Sequence, residues 1–204
     1  MPASARMVQQ PAPVPVPGET GLIGYANWEN YLRLDKALES TGHRVRFFKG
    51  RIEVMSISKK HEFIKIAISH LIAAYCLWAD IDFQGFGSAT QREEGKAGGE
   101  PDESYTFGLE VPDKPELIVE VGLTSGGIDK VELWRELGAK EVWVWQNERL
   151  QGFARAADDT FESITHSRLL AGLDLALIEA FATVQPVSQA LKGFRARLDA
   201  RASA

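Results

Sequence analysis

Leu117-Ile118-Val119-Glu120-Val121 places one glutamate inside an otherwise apolar run. The run is short for a helix and rich in β-branched residues, so it predicts a buried strand. Burying an ionised carboxylate without a partner costs several kcal/mol. Glu120 therefore calls for a cation.

The flanking sequence sets that strand in a fold. Thr124-Ser125-Gly126-Gly127 breaks it, residues 129–137 form a helix stopped by Gly138, and Glu141-Val142-Trp143-Val144-Trp145 is again a strand. Together these make a βαβ-like unit. Upstream, Pro101-Asp102 begins another extended piece, preceded by a flexible Gly95-Lys96-Ala97-Gly98-Gly99 loop and extended segments at 81–86 and 88–93. Residues 44–48 and 51–55 flank Lys49-Gly50, which fits a tight hairpin. Ser58 is a candidate N-cap for the longest helix, where Ile64, Ile68, Leu71, Ile72, Tyr75 and Ala79 recur at helical spacing. An earlier amphipathic helix sets Trp28, Tyr31, Leu32 and Leu38 on one face and ends near Gly42. Further extended pieces lie at 150–155 and 161–165, followed by helical sequence at 175–182 and from Val187 to about Leu198. The class is α/β (α+β), and no internal repeat is visible.

A chain of 204 residues supports one well-cored domain. The expected division is a proline-rich leader at 1–20, a main domain at 21–185 and a C-terminal helix at 186–204. No segment approaches the ~18 uninterrupted apolar residues of a membrane span. The segment from Met1 to Gly18 has one Arg, several prolines and no apolar core, so it does not read as a secretory signal. Cys76 stands alone and forms no internal disulfide, which agrees with a cytoplasmic setting. The net charge of −5, from 23 basic against 28 acidic residues, argues against a protein devoted to non-specific nucleic-acid binding. It leaves a nuclease open, because metal-binding carboxylates themselves lower the net charge.

The acidic pair has a specific chemistry. Mg²⁺ takes oxygen ligands at ~2.1 Å, commonly one or two carboxylates plus waters and phosphate oxygens. Paired strands lie ~4.8 Å apart, so Asp102 and Glu120 could share one ion, with the Val121 carbonyl as a further ligand. Such an ion would activate water and stabilise the pentavalent transition state of phosphodiester hydrolysis. Lys130 opens the helix beyond the C-terminal end of the Glu120 strand, where α/β sheets place their sites, and could bind the scissile phosphate. His61 and Glu62 open the core helix and could add an accessory ligand or proton relay. Each has a plainer reading: Lys130 as a solvated lysine, Glu62 as a macrodipole partner, and Asp102 as a turn cap. Glu120 could instead be an ion-pair residue with Arg92 or Lys130. His43, His70 and His166 show no ligand spacing. Trp143 and Trp145 read as core residues, with one of them a candidate for a partner surface.

Taken in order, Pro101-Asp102, then 115–121, Asp129-Lys130, Trp134 and 138–144 resemble the Uma-type putative restriction endonucleases, a branch of the PD-(D/E)XK nuclease superfamily. Trp28-Glu29-Asn30-Tyr31-Leu32, the 50–56 hairpin strand and His61 before a long helix resemble the same family, over roughly residues 25–183. The resemblance implies a restriction-endonuclease-like mixed sheet flanked by helices, with acidic residues binding Mg²⁺ or Mn²⁺. It matches Asp102 to the motif aspartate, Glu120 to the second acid and Lys130 to a lysine carried on the following helix. His61 aligns with this branch, and Glu62 with a first-helix acid found in several superfamily members. Gly122 stands where the superfamily usually has lysine, and Gly122-Leu123-Thr124-Ser125-Gly126 replaces a common Ser-Pro-Ser-Thr. Trp145-Gln146 likewise stands where the family often has Val-Asp.

The expectation is a metal-dependent endonuclease acting on DNA, with a homodimer plausible through the outward tryptophan or the C-terminal helix. The rival is a nuclease-fold binding or assembly module without catalysis. A two-carboxylate glycosidase fits poorly, since no aromatic-lined sugar cleft is apparent.

Overall fold

The computed structural model describes residues 20–122 and 127–203. The expected leader, and the expected break at Thr124-Ser125-Gly126, lie outside the described residues. In chain order the elements are β1 (Thr20–Tyr25), α1 (Trp28–Leu38), β2 (His43–Phe48), β3 (Arg51–Ser56), α2 (Lys59–Trp78), β4 (Phe83–Gly85), β5 (Gln91–Glu93) and β6 (Ala97–Gly99). There follow β7 (Glu103–Phe107), β8 (Leu117–Gly122), α3 (Lys130–Glu136), β9 (Glu141–Gln146), β10 (Arg149–Arg155), β11 (Phe161–Ile164), α4 (Leu175–Ala182) and α5 (Val187–Ala202).

The strands form two sheets. One runs β1-β3-β2-β6-β5 and is antiparallel throughout. The other runs β11-β10-β9-β8-β7-β4 and is antiparallel except for the parallel pair β8/β9. That pair, joined across α3, is the βαβ unit expected from sequence. The division into two sheets was not legible there, because strands as short as β4, β5 and β6 carry little pattern.

Local chemistry accounts for several of these elements. Lys49 and Gly50 both take positive φ, 48° and 70°, the geometry that lets a two-residue turn follow the twist of β2 and β3. The Ser58 hydroxyl accepts from the His61 N–H at 3.2 Å and caps α2, whose Ile64, Ile68, Leu71, Ile72 and Tyr75 are buried as expected. Ala79 is the residue that ends this helix rather than part of its core stripe. In α1, a reciprocal Asn27/Asn30 cap starts the helix and Tyr31 is buried. Leu32 departs from its expected place on that face and is 38% exposed.

Two further expectations need correcting. The glycine-rich 95–99 segment is not a flexible loop: Ala97–Gly99 is buried and pairs with both β2 and β5. Glycine is required there because a Cβ on Gly98 would lie 2.7 Å from the Tyr31 hydroxyl oxygen and 2.8 and 2.9 Å from two atoms of its ring. Neither Trp143 nor Trp145 faces a partner. Residues two apart on a strand share a face, and both rings sit in the largest core cluster against α2, α4 and α5.

The two faces of β8 set up the site. Leu117, Val119 and Val121 join that large core, whereas Ile118 joins the cluster around Leu133 and Trp134 of α3. Glu120 follows Ile118 on the same face. It therefore points toward α3 and the first sheet.

Candidate active site

Glu103 pairs with Val119 in the antiparallel β7/β8 register, so one step further Asp102 stands opposite Glu120. The Asp102 Oδ2 accepts the Val121 N–H at 2.6 Å, and its Oδ1 accepts from Arg44 Nη1. Glu120 Oε1 accepts from the Trp134 indole N–H at 2.8 Å, and Oε2 from Arg46 Nη2 at 2.7 Å. Lys130 Nζ, 13% exposed on the first residue of α3, lies 3.7 Å from the same Oε2. Both carboxylates are buried.

The first sheet supplies the counter-charges. Arg44 and Arg46 alternate with Val45 and Phe47 on β2, so one face of the strand packs on α1 and the other presents two guanidinium groups to β7 and β8. Arg44 also donates to the Pro101 carbonyl at 3.0 Å and the Ser88 hydroxyl at 2.9 Å. Glu53, directly across from Arg46 on β3, accepts from Arg46 Nη1 at 3.0 Å. Its other oxygen accepts the Ile128 N–H at 2.8 Å, just ahead of α3. Three buried carboxylates thus meet Arg44, Arg46 and Lys130.

His61 reaches this cluster from α2. Its Nε2 is 3.1 Å from Asp102 Oδ1, off the line of a hydrogen bond, and Nδ1 faces Glu62 Oε1 at 3.2 Å. Glu62 stands behind the histidine, paired with Lys65 at 2.8 Å, and touches neither Asp102 nor Glu120. The structure therefore brings Asp102, Glu120, Lys130 and His61 together and leaves Glu62 one residue removed. Val121 meets Asp102 through its N–H, whereas the sequence reading had assigned a role to its carbonyl. Arg92, a candidate partner for Glu120, pairs with Asp35 instead. Glu120 finds Arg46.

The electrostatics separate the two acids. Burial pushes the Asp102 carboxyl up, but His61, Arg44 and Arg46 outweigh it and hold the group well below the usual range. For Glu120, burial dominates and Asp102 adds to it, so this carboxyl is raised despite Arg46 and Lys130. Burial also acts against a charged Arg46, yet Glu120 and Glu53 more than offset it and the guanidinium stays protonated.

A divalent ion, which the family resemblance implies, would find carboxylate donors here in Asp102 and Glu120. Two carboxylates from adjacent strands are the set Mg²⁺ commonly takes, with water and phosphate completing the shell. Among the described residues, Asp102 Oδ2 and Glu120 Oε1 each accept one hydrogen bond, and the buried His61 Nε2 makes none. No group of three or more His, Cys, Asp or Glu side chains among the described residues could form an all-protein cage.

A family model described as "Putative restriction endonuclease", Uma2, matches residues 28–187. The chain belongs to the Uma2 family. The Uma2 fold also has a counterpart among solved structures: a crystal structure from Anabaena variabilis, described as a putative nuclease, matches with a TM-score of 0.51 and 12% identity. The match covers 76% of this chain and 98% of that one, and at such identity it speaks for the fold alone. No curated protein matches this Uma2 chain. Sequence reading named Asp102, Glu120, Lys130 and His61, which the fold brings together; it gave no site role to Arg44, Arg46, Glu53 or Trp134. Glu53, in Ile52-Glu53-Val54-Met55, carries the same signal as Glu120: a lone acid in an apolar strand.

Proposed function

We propose that this protein is an endonuclease that hydrolyses phosphodiester bonds of DNA and requires Mg²⁺ or Mn²⁺. The observation that carries the reading is that Asp102, just ahead of β7, stands across from Glu120 on β8, with Lys130 Nζ 3.7 Å from Glu120. Asp102 and Glu120 would hold the ion, which when bound supplies positive charge to the phosphate and acidifies a coordinated water. Lys130 lines a surface cavity of about 380 Å³ with Gln146, Gln151 and Phe153, a route by which a backbone phosphate meets its ammonium. There Lys130 orients the phosphate and offsets the charge that develops on its oxygens. His61 steadies Asp102, with Glu62 fixing the far side of the imidazole. The family supports phosphodiester chemistry, while DNA as substrate and the metal requirement belong to this proposal.

Cleavage of supercoiled plasmid with Mg²⁺ or Mn²⁺ tests it, comparing wild type with Glu120→Gln and Lys130→Met. Wild type should nick the plasmid. Both variants should lose at least about 100-fold in rate, the scale of removing one transition-state charge partner, while keeping wild-type circular dichroism. Equal cutting by Glu120→Gln means the site is wrong. No cutting of plasmid, linear duplex or single strands by wild type leaves a nuclease-fold binding or assembly module, a reading that the charge balance of the cluster favours.

A further inference from the structure

Glu120 Oε2 is not an open acceptor. The Arg46 guanidinium sits on it at 2.7 Å, wholly buried, and is held from behind by Glu53 at 3.0 Å. Arg46 is nevertheless incompletely bound. Its Nε is buried without a hydrogen-bond partner among the described residues, and Nη2 reaches the Glu100 carbonyl only at 3.5 Å. The two carboxylates supply its shortest hydrogen bonds, and Met55 Sδ stands 3.9 Å from Nη1. Glu53 also accepts the Ile128 N–H, so it remains anchored whichever way the guanidinium leans.

We infer that Arg46 is the resident counter-cation of the centre and that a divalent ion loads by taking Glu120 from it, with Glu53 as the seat that retains the guanidinium. The inference rests on the metal reading of Asp102 and Glu120. Glu120 Oε2 already takes Arg46 at 2.7 Å and has Lys130 Nζ at 3.7 Å, so the two further positive charges of a divalent ion on this carboxylate would repel the guanidinium, and ion and guanidinium compete. Arg46 is then a positioning residue. The Arg46–Glu53 pair on the β2–β3 hairpin sets metal affinity, helping to balance the charge of the centre when no ion is bound and making loading dependent on ion concentration.

Calorimetric titration with Mn²⁺ alone tests this on wild type, Arg46→Met, Arg46→Met/Glu53→Gln and Glu120→Gln, with melting temperatures measured with and without Mn²⁺. Arg46→Met should bind Mn²⁺ at least about ten-fold more tightly than wild type and gain more in melting temperature from it. The double variant removes the buried pair as a unit. It should also bind more tightly than wild type, and it decides the matter if the single variant does not fold. Equal or weaker binding in the Arg46 variants overturns the exchange. If Glu120→Gln then loses binding, Glu120 remains a ligand and only the inference falls. An absence of Mn²⁺ binding in every protein removes the inference and the metal reading together.

Discussion

At the residue scale, the site is governed by how its carboxylates are paired. If repulsion between two buried acids dominated, Asp102→Asn would stabilise the fold. The structure argues otherwise, because Asp102 is the buried partner of Arg44 and lies close to His61. Removing one member of a buried pair strands the other, at a cost of about 3–5 kcal/mol. The sign of the pH effect follows. Asp102 titrates lower in the folded protein than in the unfolded chain, so its contribution is present above the ordinary aspartate range and is lost as pH falls through and below it. Urea midpoints at pH 7, 4 and 3 should therefore show Asp102→Asn less stable at neutrality and less sensitive to acid than wild type. Parallel pH profiles for the two proteins would refute this.

At the scale of elements, β6 shows why a glycine-rich segment need not be a loop. The strand crosses directly beneath the Tyr31 ring, which is itself stacked against Phe47 at 5.7 Å and tilted against Trp28 at 4.9 Å. That ring has nowhere to go. Gly98→Ala should lower stability by about 1–3 kcal/mol through overpacking, seen as a reduced urea midpoint. A neutral result would mean that α1 can shift away from the sheet. Composition pointed to flexibility because nothing local records the aromatic ring, which comes from Tyr31 on a helix far earlier in the chain. In α2, by contrast, the cap and the apolar spacing are local, and sequence located the helix well.

At the scale of the whole molecule, α5 is continuous with the main core. Phe194 and Leu198 are buried in the cluster that includes Trp143, Trp145 and the buried face of α2, and Phe194 meets Phe181 of α4 edge-on at 5.9 Å. Phe194→Ala should cost about 3–5 kcal/mol. Far-ultraviolet circular dichroism and tryptophan fluorescence should then report one shared, shifted urea transition. An unchanged fluorescence midpoint would show α5 to be a separate appendage. Among the described residues, no helix is long and apolar enough to cross a membrane.

The sequence by itself determined the strand around Glu120, the βαβ unit, the β2–β3 turn, the cap of α2 and the candidate set of Asp102, Glu120, Lys130 and His61. Each of these rests on short-range pattern: a lone acid in an apolar run, a two-residue turn, a serine before a helical stripe. Tertiary structure decided what surrounds the two acids. Arg44 and Arg46 alternate with apolar residues, which in an isolated antiparallel strand reads as a face turned to water. Only the packing of one sheet against the other turns that face inward, and it carries Arg46 to a glutamate 74 residues away. A buried charge announces in sequence that it needs a partner. Which partner it receives depends on long-range packing, and no local pattern encodes it.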